Sequence, residues 1–139
     1  MSQGNPFERD KLIRFHHCDP AGIVFYPQYF VLFNELVEDW FNQGLDTDFA
    51  MLHARDRLGV PMARVECEFL TPSKIGETLH LRLAVKHLGS SSFTLMMEGG
   101  AEGVVRVRAK LVLVMASLDT FRAVAIPEAL RARMQQFAA

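Results

Sequence analysis

The clearest pattern in the chain is a run of apolar residues with helical spacing, from Pro27 to about Gln43. Only a narrow face of this segment is polar, so we expect a long helix that other elements surround. Pro27 suits the first helical position, and Gly44 suits the position just past the end. The apolar positions are Tyr29, Phe30, Leu32, Phe33, Leu36, Val37, Trp40 and Phe41.

The second half of the chain alternates apolar and polar residues with a period of two, which predicts strands. Ala63 to Leu70 predicts a strand with one buried face, formed by Val65, Cys67 and Phe69, and one wet face. A second strand follows from the same alternation. Its apolar positions are Leu79, Leu81, Leu83 and Val85, which alternate with His80, Arg82 and Lys86.

Further strands are predicted over Phe93 to Glu98 and over Val104 to Ala116, joined by a hairpin connection, EGGAEG (Glu98 to Gly103). The last strand is apolar on both faces beyond Leu111, which indicates a central position or a subunit interface. Two short elements complete the chain. They are a first strand over Lys11 to His16 and an amphipathic helix over Pro127 to Phe137.

This order of elements predicts an α+β fold in which an antiparallel sheet wraps around one long central helix, the hotdog fold. The chain has 139 residues and no repeat or proline-rich linker, so we expect a single domain over residues 1–139.

Charge and cysteine usage narrow the possible partners. Fifteen Lys and Arg residues nearly balance sixteen Asp and Glu residues, which argues against nucleic acid and against an anionic membrane surface. Two cysteines, Cys18 and Cys67, are too few for a disulfide framework and lie in contexts typical of buried thiols. The N-terminus has no apolar signal core. We therefore expect a cytoplasmic protein.

The candidate chemistry lies in HHCDPAGIVFYPQYF, from His16 to Phe30. Asp-Pro-x-Gly is an ordinary turn in which an aspartate often caps its own backbone, and spacing alone favours that interpretation of Asp19. His16, His17, Cys18 and Asp19 also suggest a metal cluster. However, neighbours on an extended chain point to opposite faces and no second ligand pair follows, so we predict no metal site.

The stretch CDPAGIVFYPQYF (Cys18 to Phe30) resembles the 4-hydroxybenzoyl-CoA thioesterase family, which are hotdog-fold acyl-CoA thioesterases. An aspartate, a glycine three residues later, two β-branched residues, an aromatic pair and a helix-starting proline all fall in register. The resemblance implies that Asp19 is the nucleophile or general base, that the Tyr26 amide holds the carbonyl oxygen, and that Gly22 is the loop glycine. Tyrosine at position 26, where related enzymes carry histidine, favours an aromatic or short to medium acyl group.

Physical chemistry supports the same roles. Thioester hydrolysis requires a nucleophile or a base, together with a donor for the oxyanion. An aspartate carboxylate is ordinarily ionised at neutral pH, so Asp19 can attack the thioester or deprotonate water. The helix start at Tyr26 and Pro27 leaves N–H groups unpaired and carries the positive end of the helix dipole. Gly22 allows the loop to bring the two together.

The remaining substrate contacts are less specific. In the family, neighbouring subunits bind coenzyme A around the turn that here reads KHLGSSSF, so Lys86, Ser91 and Ser92 are candidates, although these serines also suit a plain hairpin loop. The resemblance implies pockets where one subunit's Asp19 loop faces its partner's strands. Candidate lining residues are Phe25, Tyr29, His17 and His53. Arg106, Arg108 and Lys110 alternate on one strand and could reach phosphate, but a solvated face is the default.

The sequence therefore predicts a thioester hydrolase acting on acyl-CoA, without a cofactor. Open sheet edges favour a homodimer, and the resemblance suggests a homotetramer. Three alternatives remain open: a thioesterase acting on acyl carrier protein, a hydratase or dehydratase, and a non-catalytic module that binds an acyl group or a partner protein. A hydratase requires a histidine paired with a carboxylate across the site, and the predicted central helix contains no histidine.

Overall fold

One antiparallel sheet and one long helix make up most of the fold. The structure is a computed structural model and describes residues 5–139. The strands are β1 (Phe7–Leu12), β2 (Leu58–Gly59), β3 (Met62–Phe69), β4 (Thr78–Leu88), β5 (Ser92–Ala101), β6 (Val104–Val114) and β7 (Ala116–Ser117), and the helices are α1 (Pro27–Asp39), α2 (Phe49–Ala54) and α3 (Glu128–Gln135).

The five longer strands form the sheet in the order β1–β4–β5–β6–β3, with all pairs antiparallel. β1 and β3 are therefore the two edge strands, and each has one row of backbone groups without a strand partner in the described chain. β2 and β7 form a separate two-stranded sheet beside α2. This arrangement confirms the predicted α+β hotdog fold.

The core lies between α1 and one face of the sheet. The alternation in β4 has the predicted result, because Leu79, Leu81 and Leu83 are fully buried while His80 and Arg82 are exposed. Burial of each large apolar side chain contributes roughly 1.5–3 kcal/mol, so this interface is the main source of stability. The largest fully buried side chains include Trp40, Phe33, Phe41, Phe93, Leu32, Leu36, Leu81, Leu83 and Leu95.

The predicted central helix is confirmed, with Pro27 at its first turn. Regular α-helix ends at Asp39, and the chain continues through one wider π turn over Trp40–Gly44. This turn is the C-terminal part of the segment that the sequence predicts as helix to Gln43. Trp40 and Phe41 are consecutive and both fully buried, and the wider turn accompanies that double burial.

The first strand lies earlier than predicted. The sequence pattern indicates a strand over Lys11 to His16, whereas β1 spans Phe7–Leu12 and Phe15–His17 form a 3-10 turn. The position of β1 in the chain is determined by its pairing with β4. In this pairing Phe7 lies opposite Leu83 and Asp10 lies opposite His80. Cross-strand partners, which are remote in sequence, therefore determine this boundary.

β3 has no buried face, contrary to the prediction. Val65 is 43% exposed and Phe69 is 48% exposed, although they lie on the face expected to be buried. Cys67 on the same face is only half-buried. The reason is that β3 is an edge strand, which elements of the same chain cover incompletely.

The hairpin between β5 and β6 is tighter than predicted. Gly99 and Gly100 belong to β5, and the turn consists of Glu102 and Gly103, with φ of +52° and +75°. Two consecutive positive φ angles are characteristic of the two-residue hairpin turn that matches strand twist. β6 ends at Val114 and α3 spans Glu128–Gln135, within the predicted ranges. α2 and the β2–β7 pair are elements that the sequence pattern does not indicate.

Candidate active site

The Asp19 loop, residues 18–24, is a tight hairpin that ends just before α1. Cys18 and Val24 pair as an isolated antiparallel bridge. The Asp19 N–H donates to the Ile23 carbonyl at 3.0 Å, and the Gly22 N–H donates to the Asp19 carbonyl at 2.9 Å. Gly22 has φ +79°, in the left-handed region that favours glycine. The turn chemistry of Asp-Pro-Ala-Gly therefore determines the shape of the loop.

The Asp19 carboxylate takes part in this turn with one oxygen. Its Oδ1 accepts a hydrogen bond from the Ala21 N–H at 2.9 Å, which is the capping interaction expected of a plain turn. Its Oδ2 has no hydrogen-bond partner within residues 5–139, and the residue is half-buried. The turn holds the carboxylate in place and leaves one oxygen available for chemistry.

Among the residues that the structure describes, the tip of α1 presents one backbone N–H without a hydrogen-bond partner. The Gln28 N–H donates to the Phe25 carbonyl at 2.8 Å, the Tyr29 N–H donates to the Tyr26 carbonyl at 3.1 Å, and Pro27 has no N–H. The Tyr26 N–H makes no hydrogen bond to any residue that the structure describes. An unpaired N–H at the positive end of a 13-residue helix is well suited to an oxyanion.

A cavity of about 170 Å³ lies beside this helix tip. It is predominantly apolar and bounded by the end of β3, the segment that follows β3, and the start of α1. Ligand-sized pockets usually measure about 300–1,000 Å³, so this cavity accommodates only part of a substrate. Its lining residues are Ile23, Val24, Tyr26, Tyr29, Phe69, Leu70, Thr71 and Pro72.

Three other predicted residues lie around the same loop. The Tyr29 hydroxyl donates to Ser73 Oγ at 2.9 Å, and burial raises the pKa of that hydroxyl. Phe25 is half-exposed and packs edge-on against the Tyr26 ring. His17 is buried, and its Nδ1 accepts a hydrogen bond from the Arg14 N–H at 2.8 Å. Burial lowers the pKa of His17, so its ring is favoured in the neutral form.

The two cysteines are half-buried rather than fully buried. Burial raises the pKa of Cys18, and it raises the pKa of Cys67 to about 11. Both thiols are therefore protonated at neutral pH. Because the thiolate is the nucleophilic form of cysteine, Cys18 is a weaker candidate for the catalytic nucleophile than its neighbour Asp19.

Lys86, Ser91 and Ser92 lie at the other end of the sheet. Lys86 is an exposed residue near the end of β4, whereas the Asp19 loop lies near the start of that strand. At about 3.3 Å per strand residue, roughly 25 Å separates the two regions. These three residues are therefore remote from Asp19 within one chain.

Arg106 contradicts the prediction of a solvated or phosphate-binding strand face. Its side chain is only 7% exposed and forms an ion pair with Glu77, with Arg106 Nη1 2.9 Å from Glu77 Oε1. The hydrogen bond from Arg106 and the backbone N–H of Lys74 lower the pKa of Glu77 to about 2. Arg108 remains on the exposed face, where it pairs with Glu98. Local alternation does not distinguish these two arginines, because the partner of Arg106 is remote in sequence.

A second and larger cavity, of about 510 Å³, lies between α2 and the β2–β7 pair. His53 is part of its wall, and its Nδ1 lies 2.7 Å from the Phe49 carbonyl. The cavity adjoins Val60 and Pro61, the residues that lead into β3, so it lies at the opposite end of that strand from the helix tip. Phe121 forms its exposed rim.

Within residues 5–139, no three His, Cys, Asp or Glu side chains converge in a way that could hold a metal ion. Within the same residues, no helix combines the length and hydropathy needed to cross a membrane.

Comparisons with solved structures reveal chains of the same fold. A thioesterase superfamily protein from Jannaschia sp. CCS1 has a TM-score of 0.88 at 22% identity, covering 100% of this chain and 99% of that chain. A 1,4-dihydroxy-2-naphthoyl-CoA thioesterase from Synechocystis has a TM-score of 0.84 at 17% identity, covering 93% and 95%. A gentisyl-coenzyme A thioesterase has a TM-score of 0.84 at 24% identity, covering 92% and 99%. At these identities, the similarity concerns the fold.

Sequence comparison gives the family. A search of curated proteins found no match. A family model described as the thioesterase-like superfamily matches residues 13–134, which include the Asp19 loop, α1 and four of the five strands of the main sheet. Because this match extends over most of the sequence, the chain belongs to the thioesterase-like superfamily.

Proposed function

We propose that the protein is an acyl-CoA thioesterase in which Asp19 acts as nucleophile or general base and the Tyr26 amide stabilises the oxyanion. The observation that carries the proposal is the pair of unused polar groups around one loop. Asp19 Oδ2 and the Tyr26 N–H both lack partners in residues 5–139, and the backbone between them is held by the hairpin of the Asp19 loop. A negative oxygen and a positive helix tip are the two components that thioester hydrolysis needs.

The reaction has two routes from this arrangement. Asp19 attacks the thioester carbonyl carbon and forms a mixed anhydride that water then hydrolyses, or it removes a proton from the water that attacks directly. In both routes the C–S bond breaks, the thiol of coenzyme A leaves, and the acyl group becomes a carboxylic acid. The negative charge that develops on the carbonyl oxygen is stabilised by the Tyr26 N–H and the α1 dipole.

Three observations favour an aromatic or short to medium acyl group. Tyr26 matches the residue that distinguishes 4-hydroxybenzoyl-type enzymes, and the cavity beside it is bounded by the Tyr29 and Phe69 rings, with 5.8 Å between their centroids. Two chains of the same fold are named as enzymes that act on hydroxylated aromatic CoA thioesters. An aryl group is a suitable occupant because offset and edge-on ring contacts are favourable.

The proposal includes a dimer formed through β3. Antiparallel pairing of two β3 edges would satisfy the unpaired backbone groups and cover Val65 and Phe69. In such a pair, the start of one β3 lies beside the end of the partner's β3. The cavity bordered by His53 would then extend the small cavity at the helix tip of the other subunit. The same assembly offers Lys86, Ser91 and Ser92 as contacts for the nucleotide part of coenzyme A.

The test is thiol release from a panel of acyl-CoAs, followed with a chromogenic thiol reagent. The panel contains benzoyl, hydroxybenzoyl, phenylacetyl and medium-chain fatty acyl donors, together with the matching acyl carrier protein thioesters. We expect catalysed release from aromatic CoA donors. Release from the acyl carrier protein thioesters alone would show that the acyl group is carried by acyl carrier protein and not by coenzyme A. No release from any donor, with the fold intact, would support a binding module instead.

A further inference from the structure

We propose that Arg106 and Glu77 are positioning residues for the reaction. They form a buried ion pair that holds the segment over residues 70–77, here called the support segment, against the Asp19 loop. The inference rests on the proposed function for its kinetic consequence. The geometry itself is independent of that function.

The ion pair is bidentate and largely buried. Arg106 Nη1 donates to Glu77 Oε1 at 2.9 Å, and Arg106 Nη2 donates to Glu77 Oε2 at 3.0 Å. Arg106 is 6% exposed, and the side chain of Glu77 is 17% exposed. The same two terminal nitrogens also donate to the Pro72 and Ala101 carbonyls, whereas the buried Arg106 Nε has no hydrogen-bond partner in the described residues. Removal of either partner would leave a buried charge unpaired.

Arg106 also binds the backbone of the support segment at several points. Its Nη1 donates to the Pro72 carbonyl at 2.9 Å. Its own carbonyl accepts hydrogen bonds from the N–H groups of Leu70 at 2.9 Å and Thr71 at 3.3 Å. At the other end of the segment, Glu77 Oε1 accepts a hydrogen bond from the Lys74 N–H at 2.6 Å. Arg106 on β6 and Glu77, the residue before β4, therefore hold the support segment in its path through these hydrogen bonds.

The support segment in turn holds the Asp19 loop. The Val24 N–H donates to the Ser73 carbonyl at 2.9 Å, and the Ile75 N–H donates to the Gly22 carbonyl at 3.0 Å. Ile23 and Lys74 pair as an isolated bridge between these two bonds. Through the Gly22 turn, these contacts reach the backbone of Asp19.

The same segment contacts α1. Ser73 is buried, and its Oγ accepts the hydrogen bond from the Tyr29 hydroxyl in the first turns of the helix. Displacement of the support segment would therefore move the Asp19 carboxylate relative to the Tyr26 N–H. Reaction rates are sensitive to such shifts, because about 1 Å of misplacement can lower a rate roughly 100-fold. Neither Arg106 nor Glu77 needs to touch the substrate for this effect.

The test compares Glu77→Gln and Arg106→Lys with the wild type. Glutamine keeps the shape of Glu77 but loses the charge, and lysine keeps the charge but loses the bidentate geometry. The matched control is Arg108→Lys on the same strand, where the ion pair with Glu98 is solvent-exposed. We measure kcat and KM on an accepted thioester, and hydrogen exchange of the Val24 and Ile75 amides against the Leu81 and Leu95 amides of the core strands.

For both variants we expect kcat to fall at least tenfold with KM within about twofold of the wild type, and the Val24 and Ile75 amides to exchange at least tenfold faster. Arg108→Lys should change neither quantity. Unchanged exchange at Val24 and Ile75, or equal acceleration at Leu81 and Leu95, would overturn the positioning role. So would a kcat like that of the control. If Arg106→Lys fails to fold, Glu77→Gln decides the outcome.

This design separates the two proposals. If the wild type hydrolyses no thioester, the proposed function fails. The exchange measurement still determines whether the ion pair holds the Asp19 loop, because it needs no substrate.

Discussion

At the scale of single residues, Asp19 combines two roles that are usually considered alternatives. Its Oδ1 caps the Ala21 N–H, and its Oδ2 has no partner in the described residues. An aspartate in a plain turn needs only the first of these. The interaction that makes it a turn residue also fixes the direction of the second oxygen, which is a form of preorganisation.

Asp19→Asn should lower kcat at least 100-fold while the protein remains folded. The asparagine side-chain oxygen can accept the same hydrogen bond from the Ala21 N–H, so the loop keeps its shape and only the charge is lost. The measurement is kcat on an accepted acyl-CoA, with circular dichroism to verify the fold. Asp46→Asn, in an exposed loop, is the matched control and should leave kcat unchanged. Turnover near the wild-type value in Asp19→Asn would rule out the catalytic role.

Gly22→Ala tests the loop conformation rather than its charge. No atom lies within 4 Å of an added Cβ, so the cost comes from φ +79° alone. That cost is about 1–2 kcal/mol in the free energy of unfolding. Gly103→Ala, at φ +75° in the β5–β6 hairpin and equally free of contacts, is the matched control.

Both glycine variants should be destabilised to a similar extent in urea titrations, and only Gly22→Ala should lose activity. Equal activity in the two variants would indicate that the Asp19 loop tolerates a change of shape, which would contradict its proposed function.

At the scale of elements, pairing between strands has effects that no single strand predicts. His80 on β4 lies directly opposite Asp10 on β1, and its ring nitrogens lie 2.6 Å from Asp10 Oδ1 and 2.9 Å from Glu8 Oε1. The hydrogen bonds to Glu8 and Asp10 raise the pKa of His80 above 6.5. The two edge carboxylates therefore stabilise the protonated imidazole.

The raised pKa of His80 makes the free energy of unfolding depend on pH. A raised pKa in the folded state means that the cluster stabilises the protein fully below pH 6.5 and loses this contribution as pH rises through the folded-state pKa. The His80→Gln variant should therefore have a lower free energy of unfolding than the wild type below pH 6.5, and this difference should shrink as the pH rises above 6.5. Urea unfolding at several pH values measures the difference, with His87→Gln as control. A difference that widens with pH would contradict the assignment.

At the scale of the whole molecule, the uncovered β3 edge is the feature that most needs a partner. Met62, Val65 and Phe69 are all exposed along this strand. β3 exposes Arg64, Glu66 and Glu68 on its other face, but in β1 the exposed side chains include Glu8 and Asp10 while Phe7 is buried, so β1 has less apolar surface to cover by pairing. The proposed dimer therefore uses β3.

Val65→Lys should convert a dimer into monomers, because it places a charge in the proposed apolar interface. Sedimentation velocity over a range of concentrations measures the change. Val104→Lys is the matched control, since Val104 is 44% exposed against 43% for Val65 but lies at the β5–β6 hairpin. A wild type that sediments as a monomer, or a Val65→Lys variant that remains dimeric, would contradict pairing through β3.

Much of the fold and part of the site follow from local sequence. Helical spacing after Pro27 predicts α1, and the alternation at Leu79, Leu81 and Leu83 predicts β4, because both patterns result from backbone geometry within a few residues. The turn at Asp19 and Gly22 is equally local, since each residue acts through its own backbone preference. The structure agrees with these predictions.

The remaining features depend on contacts between distant parts of the chain. Arg106 and Arg108 are equivalent in the alternation, yet only Arg106 is buried, because Glu77 lies across from it in the folded chain. Val65 follows the pattern of a buried strand face, yet it is exposed because β3 lies at the edge of the sheet. The sequence alone determined the central helix, the four longer strands of the second half, the C-terminal helix and the turn at Asp19. Tertiary structure decided which polar groups are paired and which apolar faces are covered, because those depend on neighbours that local spacing does not encode.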